Sequence, residues 1–176
     1  MSVPVLPGDV ILTRSKSRFG WLIRLGAAFS DRPNIHNHVI VAHHTDEAGT
    51  LWGIEGRPGG VGWVDCRPVL HSKWTMTNAE QPKTAAQRQG VCDLMVAMLG
   101  TPYDWAGIKA DAMAAIGAQS LWGQNWHGQG PPGQIVCSAL ADWGYEHNDL
   151  ASPGRVGSRR VEPSDWTQFL MLRGWT

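Results

Sequence analysis

An α+β fold is the class this sequence predicts, with a small antiparallel sheet packed against helices. Three observations predict it. Residues 9–64 contain short apolar runs broken by turn residues, the pattern of strands. Residues 83–170 contain apolar positions at helical spacing. Between them, Asn37–His43 carries Val39 and Val41 on one face and Ile40 and Ala42 on the other, which reads as a strand buried on both sides.

The elements follow in chain order. After the Pro7-Gly8 turn, Asp9–Thr13 is a short strand, and Phe19, Leu22, Ile23 and Ala27 give Phe19–Phe29 a helical stripe. Asn37–His43 is the buried strand. Leu51–Glu55 and Val61–Val64 are two more, separated by the Gly-Arg-Pro-Gly-Gly turn at 56–60. Lys83–Leu99 is a helix with Val91, Leu94, Met95 and Met98 on one stripe and Gly100 just past its end. Asp104–Gln119 is expected to be another. Residues 120–134, rich in Gly, Gln and Trp, read as a long loop. Cys137–Glu146 is a short helix, and Ser164–Leu170 a short helix or strand.

The chain has 176 residues, which favours one domain, 1–176, with a core large enough to need no staples. Fifteen Lys and Arg balance fifteen Asp and Glu. That balance argues against a nucleic-acid or membrane-surface binder, which needs a basic face. Hydrophobic residues make up 43% and charged residues 17%, the composition of a folded chain. The three cysteines, Cys66, Cys92 and Cys137, lie too far apart for a disulfide framework or a zinc pair. The N-terminal residues lack a basic stretch followed by an apolar one, so no signal peptide is expected, and no apolar run approaches a membrane span. Synthesis in a reducing cytoplasm is the expectation.

Chemistry concentrates at Cys137. The preceding Pro131-Pro132-Gly133 blocks an earlier helix start, so Cys137 falls in the first helical turn. Unpaired N–H groups and the helix dipole there favour a negative sulfur, the help a thiol nucleophile needs. The plain alternative is a small buried hydrophobe.

His38 opens the buried strand. A hairpin with Thr45–Ala48 at its turn pairs Ala42 with Leu51, Ile40 with Gly53 and His38 with Glu55. Directly opposite partners on one face have Cβ atoms about 4.5–5.5 Å apart. Glu55 could then orient the imidazole through one nitrogen and leave the other for a thiol. The alternative is an ordinary cross-strand polar pair.

His36 and His38 share a face, with His43, His44, Asp46 and Glu47 nearby, which invites a metal reading, but no HExxH or similar helical spacing is present and a solvated loop is expected instead. The glycines of 56–62 lack the Lys-Ser/Thr and following helix of a phosphate loop. Trp122 and Trp126, in the Gly-rich stretch before Cys137, are candidate binding aromatics that line or cover a cleft, or surface residues of a plain loop.

Five short segments together resemble a known family. Pro7-Gly8-Asp9-Val10 is similar to the opening strand of the NlpC/P60 superfamily of papain-like cysteine hydrolases, and Asn37-His38-Val39-Ile40-Val41 to its His-bearing strand. Ile54-Glu55-Gly56 followed by Gly60-Val61 resembles its acidic element. Leu99-Gly100-Thr101-Pro102-Tyr103-Asp104-Trp105 resembles its G-x-x-Y-D-W segment, and Val136-Cys137-Ser138-Ala139-Leu140 its nucleophile helix. The order His, acid, Cys is that of the circularly permuted branch, which includes YiiX-like and lecithin:retinol acyltransferase-like proteins. The resemblance covers residues 7–145.

The resemblance implies a permuted papain-like fold with Cys137 as nucleophile, His38 as base, Glu55 as orienting residue and Tyr103 near the cleft. It implies a hydrolase cutting a peptide or isopeptide amide through a thioester, in bacterial cell-wall peptides, without metal or organic cofactor, and reached by a phage or lysis route. A lipid acyltransferase or thioesterase with the same triad, or a structural module of a larger particle, are the alternatives. Two departures from the pattern stand out. Val136 occupies a position where many members have Asp, and the long Tyr103–Cys137 separation makes Gln119–Gln134 read as an insertion over the site.

Overall fold

The computed structural model describes residues 4–14, 35–104, 135–154 and 161–175. The expected helices Phe19–Phe29 and Asp104–Gln119 and the 120–134 loop lie outside the described residues, Asp104 itself excepted.

Five strands form one antiparallel sheet: β1 (Val10–Thr13), β2 (His38–Thr45), β3 (Leu51–Arg57), β4 (Gly60–Asp65) and β5 (Met76–Thr77), in the spatial order β4-β3-β2-β1-β5. Four helices are α1 (Arg67–Leu70), α2 (Ala85–Ala97), α3 (Cys137–Glu146) and α4 (Pro163–Arg173). The class is α+β, as the patterning predicts. Among the described residues no helix is long and apolar enough to cross a membrane.

The two faces of β1 and β2 separate into two cores. Val10, Leu12, Val39 and Val41 join Ile54, Leu140, Tyr145, Trp166 and Leu170 in the larger one. Ile11, Ile40 and Ala42 join Leu51 and Cys66 in the smaller. Both faces are therefore buried, and each aliphatic side chain moved out of water stabilises the fold by about 1.5–3 kcal/mol before conformational entropy is counted.

The helices begin where local chemistry allows. Thr84 caps α2: its hydroxyl accepts from the Gln87 amide at 3.2 Å while the Gln87 side chain accepts from the Thr84 amide at 3.0 Å. The Thr-x-x-Gln spacing shows this cap in the sequence, and it moves the start two residues past Lys83. Segment 164–170, open between helix and strand from sequence, is helical, with Pro163 in its first turn and Gly174 in the left-handed conformation at its end. The short α1 and β5 escape sequence reading because four and two residues are too few to show a period.

The β2–β3 register differs from the expected one. Ile40, not His38, stands opposite Glu55, and Ala42 stands opposite Gly53. A bulge between Ala42 and His44 places one extra residue in β2, and the turn closes later, with Thr45 opposite Leu51. Asp46 holds that turn by accepting from the Thr50 amide at 2.8 Å and from the Trp52 indole at 2.9 Å. The offset at Glu55 is two positions. An even shift keeps every side chain on its face, so His38 becomes a diagonal neighbour of Glu55 on the same side of the sheet.

Candidate active site

Cys137 is the first residue of α3. Val136 before it is extended and offers no side-chain cap, so the first-turn amides are left for other acceptors. Gly56 on β3 lets the helix start seat directly on the strand. A Cβ built there would lie 3.1 Å from the Cys137 amide nitrogen and 3.2 Å from its Cα. The thiol is buried, 4% exposed.

The diagonal placement still joins His38 to Glu55. The imidazole Nε2 lies 2.5 Å from Glu55 Oε2, with 18% and 12% of the two side chains exposed. His38 is also hydrogen-bonded to Cys137, which leaves Nδ1 as the nitrogen for the sulfur. Side chains of this length span the diagonal distance that shorter ones cannot.

Tyr103 completes the cluster. An isolated parallel bridge pairs Tyr103 with Ile135, and the Asp104 amide donates to Ile135 O at 3.3 Å. This lays Tyr103 beside the start of α3, where its hydroxyl hydrogen-bonds the Cys137 sulfur.

The electrostatics favour an ion pair. Burial alone would raise the Cys137 pKa, but the His38 charge and hydrogen bond, with the Val39 and Ser138 amides, outweigh it and hold the thiol below its ordinary value. Burial works against a charged His38 as well. The Cys137 sulfur and then the Glu55 carboxylate overcome it and push the imidazole up to about 10. Burial and the neighbouring sulfur raise the Tyr103 hydroxyl, so it stays a protonated donor.

The other two cysteines behave oppositely. Burial, with nearby carboxylates, pushes Cys66 up to about 12 and Cys92 up to about 11. Both are buried thiols, as are all three cysteines.

The remaining sequence candidates separate. His36 turns inward, its Nδ1 2.9 Å from Thr167 Oγ1, while His43 and His44 pack edge-on against Trp63 with ring centroids 4.8 and 5.4 Å away. Among the described residues no group of three or more His, Cys, Asp or Glu is placed to hold a metal ion. Residues 56–62 form the tight β3–β4 hairpin, with Arg57 opposite Gly60. Trp122 and Trp126 lie outside the described residues.

Two contributors escape the sequence reading. The Val39 amide supports the sulfur, and no spacing rule reveals a backbone donor. Arg57 places Nη1 3.7 Å from Glu55 Oε1. Its position two residues along the same strand, hence on the same face, was the available signal.

No family model matches the chain, and no curated protein matches it significantly.

Proposed function

We propose that this chain is a cysteine hydrolase that breaks an amide bond through a thioester, with Cys137 as nucleophile, His38 as acid and base and Glu55 as the orienting carboxylate. The observation that carries the proposal is the connected chain from the Cys137 sulfur through the His38 ring to the 2.5 Å contact with Glu55, starting at a helix N-terminus. An ordinary cross-strand polar pair would not also depress a neighbouring thiol.

The chemistry follows from those positions. The thiolate attacks the carbonyl carbon, and the charge that develops on oxygen falls among the free amides at the start of α3 and the Tyr103 hydroxyl. His38 gives its proton to the departing nitrogen as the C–N bond breaks, leaving an acyl thioester. The neutral ring then takes a proton from water, the resulting hydroxide attacks the thioester, and the thiolate leaves. Glu55 stabilises the imidazolium at each stage where it forms.

The resemblance to the permuted NlpC/P60 branch supports a papain-like fold and, as substrate, peptide or isopeptide amides of bacterial cell-wall stem peptides. The chain order His38, Glu55, Cys137 and the seating of α3 on β3 agree with that reading. The test is incubation with purified peptidoglycan, phospholipid vesicles and an acyl thioester, with Cys137→Ala as control. Cys137-dependent release of muropeptides supports the proposal. Cys137-dependent acyl release from lipid alone replaces the substrate by a lipid ester, and no turnover of any substrate favours a structural module.

A further inference from the structure

We infer that Arg57 is a positioning residue for the proposed catalytic centre, acting by charge on Glu55 to hold that carboxylate toward His38 while the ring gains and loses its proton. The inference rests on the hydrolase reading above. Glu55 uses Oε2 for His38, and its other oxygen, Oε1, lies 3.7 Å from Arg57 Nη1. The distance is that of an ion pair and not of a hydrogen bond, so the contact works by charge.

Gly62 makes room for it. Gly62 stands directly opposite Glu55 in the β3–β4 ladder. A Cβ built on Gly62 would lie 3.1 Å from Arg57 Nη2 and 3.5 Å from Nε. The guanidinium therefore lies across the strand position facing Glu55, in space that any other residue would crowd. Half of the Arg57 side chain is exposed, against 12% for Glu55. The cation stays hydrated while the carboxylate it serves does not.

The charge sequence explains the need. At rest, thiolate and carboxylate are matched by imidazolium and guanidinium. In the acyl thioester the sulfur is uncharged and His38 is neutral, so Arg57 is then the cation beside Glu55. Among the described residues, the titratable and charged groups around Glu55 are His38 on β2, Arg57 on β3, Cys66 after β4, Tyr103, and Cys137 on α3. Of these, Arg57 alone keeps a positive charge at every step. Without it, the carboxylate has no cation beside it in the acyl thioester, and its hold on the ring weakens.

The experiment compares the pH dependence of Cys137 alkylation by iodoacetamide in the parent, Arg57→Met and Arg57→Lys proteins, with the His38 ring followed by NMR. A Glu55 released by loss of Arg57 supports the imidazolium less, and a weaker imidazolium supports the thiolate less. In Arg57→Met, the His38 titration is therefore expected to move down and the acid limb of alkylation up, each by roughly half a pH unit, the scale of a half-exposed ion pair. Arg57→Lys should return both toward the parent. Unmoved limbs in Arg57→Met, a rise in both, or equal shifts in the Met and Lys variants would overturn the positioning role. A parent protein whose Cys137 does not react at neutral pH would instead overturn the hydrolase reading on which the inference stands.

Discussion

Two buried clusters of charge in this molecule are built on opposite plans. Around Asp9 every group is saturated. Oδ1 accepts from Lys83 Nζ and from Arg88 Nη1, both at 2.7 Å, and Oδ2 accepts from the Leu6 amide at 2.7 Å. Lys83 has no exposed side-chain surface and also donates to Asn78 O at 2.9 Å. Nearby, Tyr145 donates to Gly8 O at 2.6 Å and Asn78 donates to the Tyr145 hydroxyl. This cluster ties the start of β1 to the segment before α2 and to α3. Around Cys137 the same ingredients, burial and opposite charges, are joined through imidazole and thiol, whose protons can move. The lesson is that burial of charge does not by itself mark a functional site. A carboxylate between fixed cations is a fastener, and one beside a group that gains and loses a proton is part of a reaction.

The largest test of that contrast exchanges the two kinds of damage. Cys137→Ala should abolish turnover, a loss of at least about a thousandfold, while leaving urea unfolding nearly unchanged. His38→Ala should abolish turnover as well. Asp9→Ala should do the reverse. It leaves a buried lysine and a partly buried arginine without their anion and should cost about 3–5 kcal/mol of stability in the same unfolding assay. An Asp9→Ala protein as stable as the parent would break the comparison outright.

The next effect is chemical selectivity among the cysteines. Cys137 is held below its ordinary pKa, whereas Cys66 and Cys92 are pushed up to about 12 and about 11. Brief iodoacetamide treatment at pH 6 should therefore modify Cys137 first, as read by peptide mass mapping. Equal labelling of the three would remove the distinction between a reactive thiol and two structural ones.

A smaller effect sharpens the roles within the centre. Cys137 outranks Glu55 among the groups that raise His38. By NMR, the His38 titration near pH 10 should fall further in Cys137→Ala than in Glu55→Gln. Glu55→Gln should also keep some turnover, because it removes charge but retains a hydrogen-bonding side chain. If Glu55→Ala turned over like the parent, the orienting role would be lost.

The smallest effect concerns His36, a third kind of buried group, neutral and uncharged. Burial lowers its pKa below the ordinary 6.5, against the weaker opposing effect of a hydrogen bond that the ring donates to the Trp74 backbone carbonyl. The unfolded chain then takes up a proton first as pH falls below about 6.5, so His36 removes stability through that window and none above it. Urea midpoints should decline from pH 7 to pH 5, and His36→Gln should flatten that slope. An identical slope in the variant would show that other groups set it.

Much of the site is legible in the sequence because its causes are local. The start of α3 at Cys137 matches its expected position, since a Pro-Pro-Gly stretch just upstream decides where a helix can begin. The buried character of β2 follows from the unbroken apolar run Val39–Ala42, which fills both faces. The pairing of His38 with Glu55 was legible only up to parity. The face was right and the partner in the ladder was not, because the turn closes at Thr45 and Leu51, later than expected, and the bulge at His43, which brings the offset back to an even number, depends on how β2 fits its neighbours.

The sequence alone therefore determined the α+β class, the segments that form β1 to β4, α2 and α3, the helical first turn under Cys137, and the side of the sheet that His38 and Glu55 share. These depend on periods, caps and turn residues within a few positions of each other. Only the tertiary structure decided that Ile40 faces Glu55, that Tyr103 lies beside Cys137 through its bridge to Ile135, that Arg57 rests across Gly62, and that Asp9 is a fastener. Each of those joins residues distant in sequence, or different strands. Such contacts are selected by the packing of the whole core, whose free energy no short window of the chain contains.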